Sequence, residues 1–226
     1  MKIFSFCLYG PYTRKYYQGL LENLEIIRSA FPDWKVVVYV GTDVPRSFRS
    51  SLQTYPFCIV VPVSTTGPSL MLYRFCAIDN PDVEVMCVRD ADSRVHERDQ
   101  WTIRAFLQSP YLVHILRDHP FHTTSIVGGM WGIKRGALSV SMTQLLKDNF
   151  SGSAKFNDDQ LFLQDVIYPK IKHVALVHSS NTYRASIEET IVNIPFPVSN
   201  KDFIGQVIEY MPPLNVPYRK CDLYKR

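Results

Sequence analysis

Asp90 and Asp92, separated by Ala91, stand at the end of the run Val83-Glu84-Val85-Met86-Cys87-Val88. Branched and apolar residues bounded upstream by Asn80-Pro81-Asp82 predict a buried strand. In an open α/β sheet, ligands sit at the carboxyl ends of such strands. Residues i and i+2 of an extended segment face the same side, so both carboxylates are expected on one site. That donor set suits Mg²⁺ or Mn²⁺, which prefer oxygen ligands and commonly share coordination with phosphates. Asp92 is expected to bind the metal directly, with Asp90 binding it through water or holding a ribose. A solvated acidic loop is the plain alternative.

Other residues fit chemistry around a diphosphate. Arg74, Arg89 and Arg94 offer planar forks to phosphate oxygens, with ion pairs to Glu97 or Asp99 as the ordinary alternative. Tyr9 and Tyr12 provide rings for stacking on a base, and Gly10 permits close backbone approach. Asp158 and Asp159 precede Gln160; one of them suits a helix N-cap. Asp159 first, and Asp158 second, is the candidate base for removing a hydroxyl proton. The same carboxylate would orient the acceptor if configuration were retained. His178 ends a short apolar run, where an imidazole can complete a metal site or serve as a hydrogen-bonded core residue. Gly128-Gly129 predict close backbone approach, with Gly129 on the donor side and Trp131 as an apolar sugar face. Asp118 and His119 are expected in a loop contacting acceptor hydroxyls. A zinc site at His114, His119 and His122 is disfavoured, because no cysteine lies near in sequence.

These side chains need elements to hold them. Lys2–Leu8, Lys35–Val40 and residues 57–63 read as strands, with helices over 14–30 and 68–78. This β-α-β-α-β alternation predicts a parallel sheet with right-handed crossovers. Further on, Glu97–Gln108, 136–149 and 158–167 read as helices, and 125–133 and 173–177 as strands. From about residue 195 to 226 the chain is Pro-rich and reads as an extended tail on a single domain.

The 226 residues are 46% hydrophobic, 20% charged and 13% aromatic, with a formal charge of +4. That charge is spread along the chain and does not form the basic stripe of a nucleic-acid binder. Five cysteines at wide spacings include no C-x-x-C pair, and reduced thiols fit a cytoplasmic location. The first apolar run is too short for a signal peptide, and no stretch would span a bilayer.

Several spaced motifs together carry a resemblance. Arg74-Phe75, Val88-Arg89-Asp90-Ala91-Asp92-Ser93-Arg94 and Glu97-Arg98 are followed by His114-Ile115-Leu116-Arg117-Asp118-His119-Pro120-Phe121-His122. Gly128-Gly129-Met130-Trp131-Gly132, Asn157-Asp158-Asp159-Gln160 and His178-Ser179-Ser180 continue the series. In this order, over roughly residues 70–180, they resemble a family of small GT-A-type glycosyltransferases of bacteria and large DNA viruses. Trp101-Thr102 departs from the pattern, where small apolar residues are expected. The resemblance implies an α/β, GT-A-like (Rossmann-like) single domain with a mostly parallel sheet. It also implies a nucleoside diphosphate sugar donor (UDP before GDP), a Mn²⁺ or Mg²⁺ cofactor and a glycan hydroxyl as acceptor. Within that reading Ala91 joins the donor contacts and His178 the metal ligands. Two rivals remain. A haloacid dehalogenase-type phosphatase would carry its Asp-x-Asp after the first strand, where this chain has no acid. A non-catalytic nucleotide- or glycan-binding module would have no evident use for the metal pair.

Overall fold

Alternation along Lys2–Leu8 (β1) sends Phe4, Phe6 and Leu8 to one face of a sheet and Ile3 to the other. The computed structural model describes residues 1–150, 154–197, 199 and 202–210. Lys35–Val40 (β2), Cys58–Pro62 (β3) and Val85–Arg89 (β4) join β1 in parallel register. Val113–Arg117 (β5), Met130–Lys134 (β6), Ala175–Ser179 (β7) and Thr190–Asn193 (β8) complete the sheet. Its order is β3-β2-β1-β4-β6-β5-β7-β8. All ladders run parallel except the two made by β6, which enters antiparallel between β4 and β5.

Both faces are covered, as parallel sheets require. Gly19–Ala30 (α1), Arg46–Leu52 (α2) and Glu97–Gln108 (α4) cover one face, burying Leu20, Leu24, Leu52, Ile103 and Phe106. Ser69–Tyr73 (α3), Met142–Asn149 (α5), Asp158–Phe162 (α6) and Tyr168–Ile171 (α7) cover the other around Phe75, Trp131 and Phe162.

The structure corrects several element boundaries. The helix expected over 68–78 breaks: α3 ends at Tyr73, and Cys76–Asp79 forms a separate tight turn. The strand expected over 125–133 begins only at Met130. The helix expected over 136–149 is confined to Met142–Asn149, where Asp79 accepts from the backbone N–H of Met142 and Thr143 at 2.8 and 2.7 Å. Val113–Arg117, to which the sequence assigned no element, forms the fully buried strand β5, and Asp118 and His119 follow it in the expected loop. Within the expected tail, residues 202–210 cross the end of β4, where the Ile208 N–H donates to the Asp92 carbonyl at 2.8 Å. Pro212, Pro213 and Pro217 lie outside the described residues. Cys7, Cys58, Cys76 and Cys87 are free thiols, and Cys221 lies outside the described residues. Among the described residues no helix is long and apolar enough to cross a membrane.

Candidate active site

The carboxyl ends of β1 and β4 frame a cavity of about 370 Å³ lined by Tyr9, Tyr16, Arg74, Asp90, Ala91 and Asp92. A second cavity of about 210 Å³ shares Tyr9, Arg74 and Asp90 and extends to Gly128, Gly129 and Asp159. Together they form one cleft, and Phe156, an 82% exposed ring, lies on both parts.

Arg74 links the two halves. It is 1% exposed, its Nη1 donates to Asp90, and its Nη2 donates to Asp159 Oδ2 at 3.0 Å. Arg74 follows directly on α3, and its carbonyl accepts from the Ser5 hydroxyl at 2.6 Å. The paired glycines serve the same carboxylates. A Cβ on Gly129 would overlap the Asp90 carboxylate, and one on Gly128 would meet Asp159 Oδ2 at 3.0 Å. Close approach there is made by the protein's own acids. Gln160, to which the sequence assigned no role, fixes this loop by accepting from the Gly128 N–H at 2.9 Å and donating to the Ile126 carbonyl. Its position beside Asp159 was the available signal.

Asp92 faces the cavity with Lys15 Nζ 3.5 Å away. Burial, and then the charge of Asp90, push its carboxyl above the ordinary aspartate value. Burial likewise pushes Tyr9 up to about 12. Gly10 adopts φ +83°, and its N–H donates to Asp43 Oδ2 at 2.9 Å, so its left-handed turn fixes the rim beside Tyr9. Tyr12 is 61% exposed and packs on Tyr17, apart from both cavities.

Other expected residues lie elsewhere. Arg89 is buried and forks onto Asp99 at 2.7 and 2.6 Å. Arg94 donates to Glu22 at 2.8 Å and to the Tyr210 hydroxyl at 2.9 Å. Asp158 turns back to accept from the Lys155 N–H at 2.6 Å, leaving Asp159 as the acid of that pair on the cleft. Asp118 is fully buried, gripped by Arg98 at 2.8 and 2.5 Å and by the Ile204 N–H at 2.9 Å. His119 is buried against the Phe203 ring at 4.3 Å. Trp131 is fully buried, edge-on to Phe75, and has no face to offer a sugar.

His178 is not brought to the aspartate pair. It is 1% exposed, its Nδ1 lies 2.9 Å from His114 Nε2, and Trp101 packs on its ring. Burial lowers it to about 4. Among the described residues no three His, Cys, Asp or Glu side chains form a group able to hold a metal. A divalent ion in this cleft would therefore rest on Asp90 and Asp92, which suits ions that take one or two carboxylates and fill their shell with phosphate and water oxygens.

No protein-family model and no curated protein matches the sequence. Solved structures do resemble it. A glycosyltransferase involved in the glycosylation of the major capsid of PBCV-1 is 18% identical with a TM-score of 0.52, over 79% of this chain and 82% of that one. S. aureus TarS 1-349 in complex with UDP-GlcNAc is also 18% identical, with a TM-score of 0.53, over 88% of this chain but only 60% of TarS 1-349. The mannosyltransferase PcManGT from Pyrobaculum calidifontis, in complex with GDP-Man and Mn²⁺, is 14% identical with a TM-score of 0.50, over 86% of this chain and 56% of its own. At these identities the likeness is one of architecture, and the architecture is the GT-A glycosyltransferase fold.

Proposed function

We propose that the protein is a metal-dependent glycosyltransferase that moves a hexosyl or deoxyhexosyl group from a nucleoside diphosphate sugar, UDP before GDP, to a glycan hydroxyl. The observation that carries this reading is a single cleft in which Asp90 and Asp92 stand at one end and Asp159 at the other, with Arg74 between. Asp90 and Asp92 would hold Mn²⁺ or Mg²⁺. They fit, because two mutually repelling carboxylates, one of them raised by burial and by the other's charge, are relieved by a cation. Such an ion would supply Lewis acidity toward the leaving diphosphate. The bound ligands of two structural neighbours, UDP-GlcNAc in one and GDP-Man with Mn²⁺ in the other, support this donor chemistry.

The chain's own residues account for the remaining work. Tyr9, on the rim fixed by Gly10, offers a ring to the base. Arg74 holds the Asp159 carboxylate at the acceptor end of the cleft. In an inverting reaction Asp159 takes the proton of the attacking hydroxyl; in a retaining one it orients that hydroxyl. Phe156 supplies the apolar face that Trp131, buried, does not.

A thermal-shift screen of UDP, GDP, CMP and their sugars tests the donor class. A nucleoside diphosphate should raise the melting temperature only with Mn²⁺, and Asp92→Ala should abolish the effect. At a hundredfold excess over Kd the stabilisation is about 2.7 kcal/mol. A folded sample that responds to no nucleotide would remove the basis for the reading.

A further inference from the structure

Each arginine that the sequence offers for a diphosphate is committed elsewhere. Arg74 is shared by two carboxylates, Arg89 is forked onto Asp99, and Arg94 is tied to Glu22 and Tyr210. The cation beside Asp92 is a different residue. Lys15 lies in the turn Arg14–Gln18 before α1, with its ammonium 3.5 Å from Asp92 Oδ2, 3.1 Å from Glu209 Oε1 and 5.4 Å from the centre of the Tyr16 ring. Asp92 and Tyr16 both line the larger cavity. The Lys15 side chain is 27% exposed, and a lysine carries its charge on a flexible four-carbon stem.

Resting on the donor-site reading of this cleft, we infer that Lys15 is a donor-binding residue whose ammonium contacts the sugar-bearing phosphate of a nucleoside diphosphate sugar. With a divalent ion held by Asp92, the Lys15 ammonium would leave that carboxylate for the donor's diphosphate. As the glycosidic bond breaks, its electron pair stays with the phosphate oxygen and the diphosphate gains one negative charge. An ammonium placed there stabilises the growing charge. Arg74 is poorly suited to this role, since it is buried and forked between two carboxylates, whereas Lys15 is partly exposed and one of its two partners, Glu209, lies at the surface. Lysine binds phosphate as a point charge and needs no fixed fork geometry, which suits a residue that shifts its contact.

Calorimetric titration of UDP and UMP with Mn²⁺ isolates the second phosphate. Wild type should prefer UDP. Lys15→Ala should weaken UDP about tenfold or more while leaving UMP within about twofold, since only UDP loses a charge-assisted contact to its second phosphate. Lys15→Arg should recover most of the loss. Glu209→Gln, which cuts only the tie to the C-terminal segment, should keep the preference for UDP. Equal weakening of UDP and UMP in Lys15→Ala, or the same loss in Glu209→Gln, would make Lys15 a structural tie and overturn the inference. A Lys15→Ala protein that binds UDP as wild type does would also overturn it, leaving the donor site standing. A wild type that binds neither UDP nor GDP with Mn²⁺ would overturn both.

Discussion

One guanidinium, 1% exposed, sets the geometry of the cleft by bridging Asp90 and Asp159. Removing it leaves two acids facing each other without a cation. Breaking a buried ion pair from one side costs about 3–5 kcal/mol. Asp90 retains 36% side-chain exposure and is partly rescued by water, so Arg74→Ala should fall at the low end of that range in urea unfolding. Arg74→Lys keeps the charge but cannot fork to both carboxylates, so it should lose turnover more than stability; equal losses would show that Arg74 only supports the fold. Residue types were a partial guide here. Asp90, Asp92, Arg74 and Asp159 were legible because charge at a strand or helix end suggests a site, and all four line the cleft. Asp118, His119 and Trp131 carry the same polar or aromatic signature yet are buried, and a single sequence does not show which polar residue has a buried partner such as Arg98. Lys15 was missed for the opposite reason: nothing local marks it, and its carboxylate partners, Asp92 and Glu209, are far along the chain.

At the scale of elements, period was informative wherever packing follows period. β1, β2 and α4 occupy the bounds that their apolar spacing predicts. β5 escaped because His114 and Arg117 interrupt its apolar run, although both are buried and paired, His114 with His178 and Arg117 with Glu189 at 2.9 and 2.6 Å. The histidine pair joining β5 to β7 has a consequence in pH. Burial drives His114 well below its ordinary value and His178 to about 4. In the unfolded chain both titrate near 6.5. Between those values the unfolded state binds more protons than the folded one, so stability is full above about pH 6.5 and is lost as pH falls toward 4. For His178 the whole loss is on the order of 3 kcal/mol. The melting temperature should therefore drop between pH 7 and pH 4.5, with a shallower drop in His178→Gln. Parallel curves for the two proteins would rule out the pair as the source.

Across the whole molecule, residues 202–210 tie the loop after β5, the loop after β4 and α1 to one another. Ile204 donates to Asp118, Ile208 to the Asp92 carbonyl, and the Tyr210 hydroxyl to Glu22 at 2.6 Å. The Pro-rich composition indicated an extended path but not its course, because that course is set by partners distant in sequence, Asp118 after β5, Asp92 after β4 and Glu22 on α1. Asp118→Asn removes the counter-charge of buried Arg98 and weakens the anchor. Amide exchange over 202–210 should then accelerate about tenfold or more, whereas unchanged exchange would assign the hold to the other ties. Metal-dependent sugar transfer from a nucleotide, carried by Asp90 and Asp92, calls first for identifying the product released from UDP- and GDP-sugars with Mn²⁺. Nucleoside diphosphate should be the released product, with release stopped by chelator and by Asp92→Ala. Release of inorganic phosphate, or turnover undiminished in Asp92→Ala, would contradict it.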